Sequence, residues 1–107
     1  MRTLMVTRHA GARDWVSRLP IDVDAAVEHL DVASVSPGDR IIGTLPVQLI
    51  AAVCERGASY LHLSVDVPHG ARGRELSADE LTRFGARLEG YCAERHGGTM
   101  TCFGRRP

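Results

Sequence analysis

A chain of 107 residues is long enough for one hydrophobic core and too short for separate catalytic and regulatory modules, so a single domain spanning 1–107 is expected. Its 13 basic and 13 acidic residues cancel, which leaves no global field to draw it to long nucleic acid or an anionic membrane. Every basic residue is arginine, which excludes lysine chemistry and leaves any phosphate to be met locally by a planar, bidentate fork.

In chain order, the apolar run at Met1–Val6 is too short for a signal peptide, and no stretch approaches the roughly 20 apolar residues of a membrane span, so a cytoplasmic protein is expected. Thr3 to Thr7 reads as a short strand running through Arg8-His9-Ala10-Gly11 into a helix that carries Trp15, Val16 and Leu19 and closes at Pro20. Val23 to Leu30 fits a strand or a short helix, with a strand near 25–30 preferred. After the turn Ser36-Pro37-Gly38-Asp39, Arg40 to Gly43 reads as a buried strand, and Thr44-Leu45-Pro46 switches it into a helix over Val47 to Arg56 that Gly57 ends. Ala58 to Val67 alternates Leu61, Leu63 and Val65 with His62, Ser64 and Asp66, the period of a strand. Residues 40–67 therefore predict a parallel βαβ unit. Pro68 to Glu75 is a polar Gly/Arg loop, and Ser77-Ala78-Asp79-Glu80 is a capping box opening a helix whose stripe of Leu81, Phe84, Leu88 and Tyr91 extends to about His96. Thr99 to Phe103 predicts one last edge strand before a basic tail. The sum is a Rossmann-like α/β domain with a mostly parallel central sheet flanked by helices.

In such sheets ligands bind beyond the carboxyl ends of the strands, where helix N-termini present unpaired N–H groups. Three segments reach that edge: Arg8-His9-Ala10-Gly11, Gly43-Thr44-Leu45-Pro46, and Ser64 to Asp66 with the Arg72-Gly73-Arg74 loop behind them. Arg8 brings a fixed charge, His9 a group of the type that changes charge near neutral pH, and Gly11 room for close backbone approach. Gly43 and Thr44 offer backbone and hydroxyl donors to a phosphate, although the GxxxxGK[ST] pattern is absent and ATP hydrolysis is disfavoured. His9 as a plain turn residue, Thr44 as a plain helix cap, and Arg72 and Arg74 as solvated loop charges are the competing readings. Trp15 falls on the apolar helical stripe and reads as core. Cys54, Cys92 and Cys102 are odd in number and lack CxxC spacing, so packed, reduced thiols are expected rather than disulfides. His29, His62, His69 and His96 have no ligand-like spacing, so neither a metal nor a cofactor is expected. Thr7-Arg8-His9 is similar to the strand-end motif of histidine phosphatases, but Ala10 breaks it and the chain is short for that class.

In order and spacing, Arg8-His9-Ala10-Gly11 with Trp15, Val27-Glu28-His29-Leu30, Gly38-Asp39, Ile42-Gly43-Thr44-Leu45-Pro46, Arg56-Gly57-Ala58, His62-Leu63-Ser64 and Arg72-Gly73-Arg74-Glu75-Leu76-Ser77 resemble the CRISPR-associated Csx family numbered sixteen, small CARF-like proteins found beside type III CRISPR systems. The resemblance covers roughly residues 4–90. It implies a ring nuclease that cuts cyclic oligoadenylate, cyclic tetra-adenylate foremost, and so switches off the antiviral response. The chemistry expected of that class is metal-independent attack of a ribose 2′-OH on its own 3′-phosphate, driven by orientation and charge stabilisation. On that expectation Arg8, His9 and Arg72 are catalytic, while Ala10, Gly11, Gly43, Thr44, Leu45, Pro46, Ser64 and Gly73 hold the ligand. A ring of four nucleotides is large beside this chain and is itself symmetric, so a two-fold homodimer is the expected host. Two other readings stay open: a protein that binds the ring without cutting it, and a ligand-free module that docks on a CRISPR effector.

Overall fold

Apolar residues occupy both faces of the first and third strands, so the sheet has to be covered by helices on each side. The computed structural model describes residues 1–96. Its elements are β1 (Thr3–Val6), α1 (Ala10–Ser17), β2 (Ala25–Val27), β3 (Arg40–Gly43), α2 (Val47–Glu55), β4 (Ser59–Ser64), α3 (Ala78–Arg83) and β5 (Arg87–Tyr91). The five strands lie in the order β2-β1-β3-β4-β5. The first four strands pair in parallel, and β5 closes the edge antiparallel to β4. The fold is the Rossmann-like α/β arrangement the sequence predicts.

Alternation along β1 divides the core in two. Met5 joins Trp15, Val16, Ile42, Leu63 and Leu81 between the sheet and helices α1 and α3. Leu4 and Val6 join Ile41, Val53 and Tyr60 on the α2 side. Ile41 and Ile42 have no exposed surface, and burial of each contributes about 1.5–3 kcal/mol. No helix among the described residues is long and apolar enough to cross a membrane.

One predicted element is corrected. The capping box is present, with Ser77 Oγ accepting the Glu80 N–H and Glu80 accepting the Ser77 N–H, but the helix it opens stops at Arg83 instead of running to His96. Gly85 takes φ +77°, a left-handed conformation that ends helices and disfavours side chains. The Ala86 N–H turns back to the Leu81 carbonyl at 2.9 Å, and residues 87–91 pair with β4. Leu88 belongs to the apolar pattern as expected, yet it packs from a strand placed opposite Leu63. The 3.6-residue spacing of Leu81, Phe84, Leu88 and Tyr91 misled because β4 offers an unpaired edge that a strand satisfies and a helix does not. The predicted strand at Thr99 to Phe103 lies outside the described residues.

Candidate functional site

The strand order reverses between β1 and β3, since the chain places β2 on one side of β1 and β3 on the other. Such a switch point opens a crevice beyond the strand ends. Val6 lies level with Gly43 on β3 and with Val27 on β2. The Thr7 N–H donates to the Val27 carbonyl at 2.8 Å, which carries the ladder one step past β2 and sends Arg8 and His29 out of neighbouring segments. Parallel strands about 4.8 Å apart leave such residues within side-chain reach of one another.

Two adjoining cavities open there. One, of about 280 Å³, lies on the α2 side and is lined by Arg8, His9, Glu28, His29, Thr44 and Pro46, with Leu45 also in its wall. The other, of about 190 Å³, runs between the sheet and α1 and α3; its floor is Met5, Ala12, Leu63 and Leu81, and its rim includes Arg74 and Glu75. Val6, Thr7, His9 and Thr44 line both and form the wall between them.

His9 is held on two sides. Its N–H donates to Thr7 Oγ1 at 3.0 Å, and its ring Nδ1 meets Glu75 Oε2 at 2.7 Å. With Nδ1 occupied by a carboxylate, Nε2 is the nitrogen left for other chemistry. Arg8 is exposed and has no ion pair among the described residues. Arg74 is tied to Glu80 on α3 at 2.7 Å, and this guanidinium, helped by the Ser77 N–H, holds the Glu80 carboxyl down to about 2. At the start of α2 the Pro46 carbonyl takes the N–H groups of Leu49 and Ile50, so those of Val47 and Gln48 remain without a helical acceptor.

The turn that carries Thr44 is fastened from beneath. Tyr60, only 2% exposed, accepts the Leu45 N–H at 2.9 Å and sits 2.9 Å from the Gly43 carbonyl and 2.7 Å from His62 Nδ1. Burial pushes the Tyr60 hydroxyl above its usual value, so it stays a neutral donor.

Of the residues singled out from sequence, the structure gathers Arg8, His9, Gly43, Thr44, Leu45 and Pro46 around the two cavities. Thr44 is exposed and does not cap α2, whose N-cap is Pro46. The others fall elsewhere. Ser64 lines a separate cavity of about 620 Å³ between β4 and β5, with His62, Arg87, Glu89 and Tyr91. Arg72 and Gly73 lie outside all the cavities described, and the loop residues that reach the site are Arg74 and Glu75. Ala10 and Gly11 begin α1 but line neither cavity; a Cβ on Gly11 would collide with the Leu76 carbonyl oxygen, so its close approach serves the loop's own backbone. Sequence reasoning missed Glu75, His29 and Tyr60, and within the Arg72-Gly73-Arg74 segment it gave the role to Arg72 where Arg74 is the arginine at the rim. His29 carried a usable signal, because it leaves the end of β2 as Arg8 leaves the end of β1. Among the described residues no group of three or more His, Cys, Asp or Glu stands together as metal ligands would.

No curated protein and no solved structure matches the chain. A family model described as "Putative CRISPR-associated protein (Cas_VVA1548)" matches residues 4–94, most of the chain and both walls of the crevice, and the chain therefore belongs to that CRISPR-associated family.

Proposed function

We propose that the protein is a cytoplasmic ring nuclease that opens cyclic oligoadenylate, cyclic tetra-adenylate in the first instance, as a homodimer without metal or cofactor. The observation that carries this reading is the convergence of Arg8, the His9–Glu75 pair and the first turn of α2 on adjoining cavities at the switch point of the sheet. Membership of a CRISPR-associated family supplies the context in which such a ligand is made.

The substrate carries its own nucleophile, so orientation and charge stabilisation provide most of the acceleration. His9 Nε2 takes the proton of a ribose 2′-OH as that oxygen attacks the adjacent phosphorus. Glu75, bonded to Nδ1, keeps the ring oriented and stabilises the imidazolium that forms. Arg8 and the free N–H groups at the start of α2 face the charge that gathers on the phosphoryl oxygens. The apolar cavity of about 190 Å³ is somewhat larger than the ~150 Å³ space known to hold a benzene ring, a size suited to one nucleobase and not to a whole nucleotide. Two copies around a two-fold axis would present these groups twice to a symmetric ring.

Incubating excess protein with labelled cyclic tetra-adenylate in EDTA tests the proposal. Linear product is expected. A ring that stays intact but tightly bound replaces cleavage with sequestration, and a ring that does not bind leaves only a docking role.

A further inference from the structure

Ring opening has a second half that His9 does not serve. When the 2′-oxygen bonds to phosphorus, the bond from phosphorus to the 5′-oxygen of the next nucleotide breaks, and that oxygen leaves as an alkoxide unless it is given a proton. A general acid placed across the phosphate from the base speeds this departure. The same cavity contains a second imidazole.

We infer that His29 is the general acid of the reaction, donating the proton that the departing 5′-oxygen takes up; this rests on the reading proposed above. His29 leaves the end of β2 in the register next to Arg8 and lines the cavity that Arg8 and His9 line. The two histidines therefore reach it from different strands, His9 from β1 and His29 from β2. Arg8 emerges beside both, positioned for the phosphate they flank.

The division of labour follows from their partners. His9 is paired with the Glu75 carboxylate at 2.7 Å through Nδ1, which fixes its ring and leaves Nε2 for the attacking hydroxyl. His29 has no side-chain hydrogen bond or ion pair among the described residues, and the charged groups around its cavity are Arg8 and Glu28. With no side-chain partner among the described residues, the His29 ring is free to turn toward the departing oxygen, while the His9 ring is held through Nδ1. The balance is complete: the O2′ proton goes to His9, the His29 proton goes to O5′, one P–O bond forms as another breaks, and the products are a 2′,3′-cyclic phosphate and a free 5′-hydroxyl. No water, metal or oxidant is consumed, and solvent returns each imidazole to its starting state.

The test uses single-turnover cleavage by wild type, His9→Ala and His29→Ala, with affinity for the ring measured in parallel. Each is assayed on cyclic tetra-adenylate and on the analogue whose bridging 5′-oxygens are sulfur, because a thiolate departs without a proton. His29→Ala is expected to lose about 100-fold or more on the ordinary ring and to come within about 10-fold of wild type on the sulfur ring, while His9→Ala stays slow on both. If His29→Ala cuts the ordinary ring at nearly the wild-type rate, or binds normally and is equally slow on both rings, His29 is not the acid. A variant that loses affinity instead makes His29 a binding residue and likewise overturns the role. These outcomes leave the nuclease reading standing; a wild-type protein that cuts neither ring overturns that reading and this inference together.

Discussion

The Tyr60 hydroxyl and the Leu45 N–H lie 2.9 Å apart across the buried space between β4 and the turn after β3. A phenol from one strand thereby fixes the backbone that presents Thr44 to both cavities. Tyr60→Phe removes the oxygen and leaves the Leu45 N–H without its partner in a place water does not reach. The cost is about 1–3 kcal/mol. In a domain near 100 residues each kcal/mol lowers the melting midpoint by about 4–8 °C, which calorimetry resolves. Ring cleavage should slow as well, since Thr44 loses its fixed position. An unchanged midpoint would show that the turn holds itself.

In the mechanism proposed above, Glu75 touches no reacting atom and acts through His9. Glu75→Gln keeps its shape but removes the charge that stabilises the imidazolium. The expected result is a fall of about 10–100-fold in single-turnover rate with little change in ring affinity, and partial recovery in Glu75→Asp. Equal losses of rate and affinity would instead make Glu75 a ligand contact.

Gly11→Ala tests whether the loop that carries Glu75 is docked through α1. The added methyl has nowhere to go, because it would collide with the Leu76 carbonyl oxygen and stand 3.2 Å from the Ser77 Cα. Backbone has to move, at a cost of about 1–3 kcal/mol. The loop should withdraw from α1 and carry Glu75 away from His9. The variant is therefore expected to lose both stability and cleavage, with chemical shifts changing at His9 and at residues 74–77. A variant as active as wild type would place the loop's hold elsewhere.

Acid should unfasten the N-terminal strand. Asp39, 2% exposed, accepts the N–H groups of Ser36 and Arg2, both at 2.9 Å, and the Arg2 guanidinium at 3.3 Å. These contacts, the Ser36 N–H foremost, hold its carboxyl below the usual value. The folded state thus prefers the charged form, so the stabilisation is complete above the unfolded carboxyl range near pH 3.9. It drains away as pH falls through the lower folded value. Melting midpoints of the wild type should decline below about pH 4. Asp39→Asn should start lower at pH 7 and lose much of that slope. Parallel curves for the two proteins would remove Asp39 from the acid response.

Much of the architecture could be read from local pattern because local forces settle it. Arg40–Gly43 is a strand, Val47 begins a helix after Pro46, and Ser77 caps a helix, as periodicity and capping chemistry require. The failure at residues 84–91 has the same origin in reverse. Leu88 and Tyr91, three apart, share one face of a helix, whereas in the strand they form they point to opposite faces, and only the open edge of β4 chooses the strand.

The site divides along the same line. That Arg8, His9 and Thr44 belong to a strand-end crevice is a property of the sequence, because a parallel strand has to hand over to its helix on that edge. Which other residues meet them is decided by strand order and loop packing, contacts between residues far apart in the chain that no short-range spacing encodes. Only the folded chain places His29 beside Arg8, Glu75 against His9 and Tyr60 beneath Leu45, and sends Ser64 and Arg72 elsewhere.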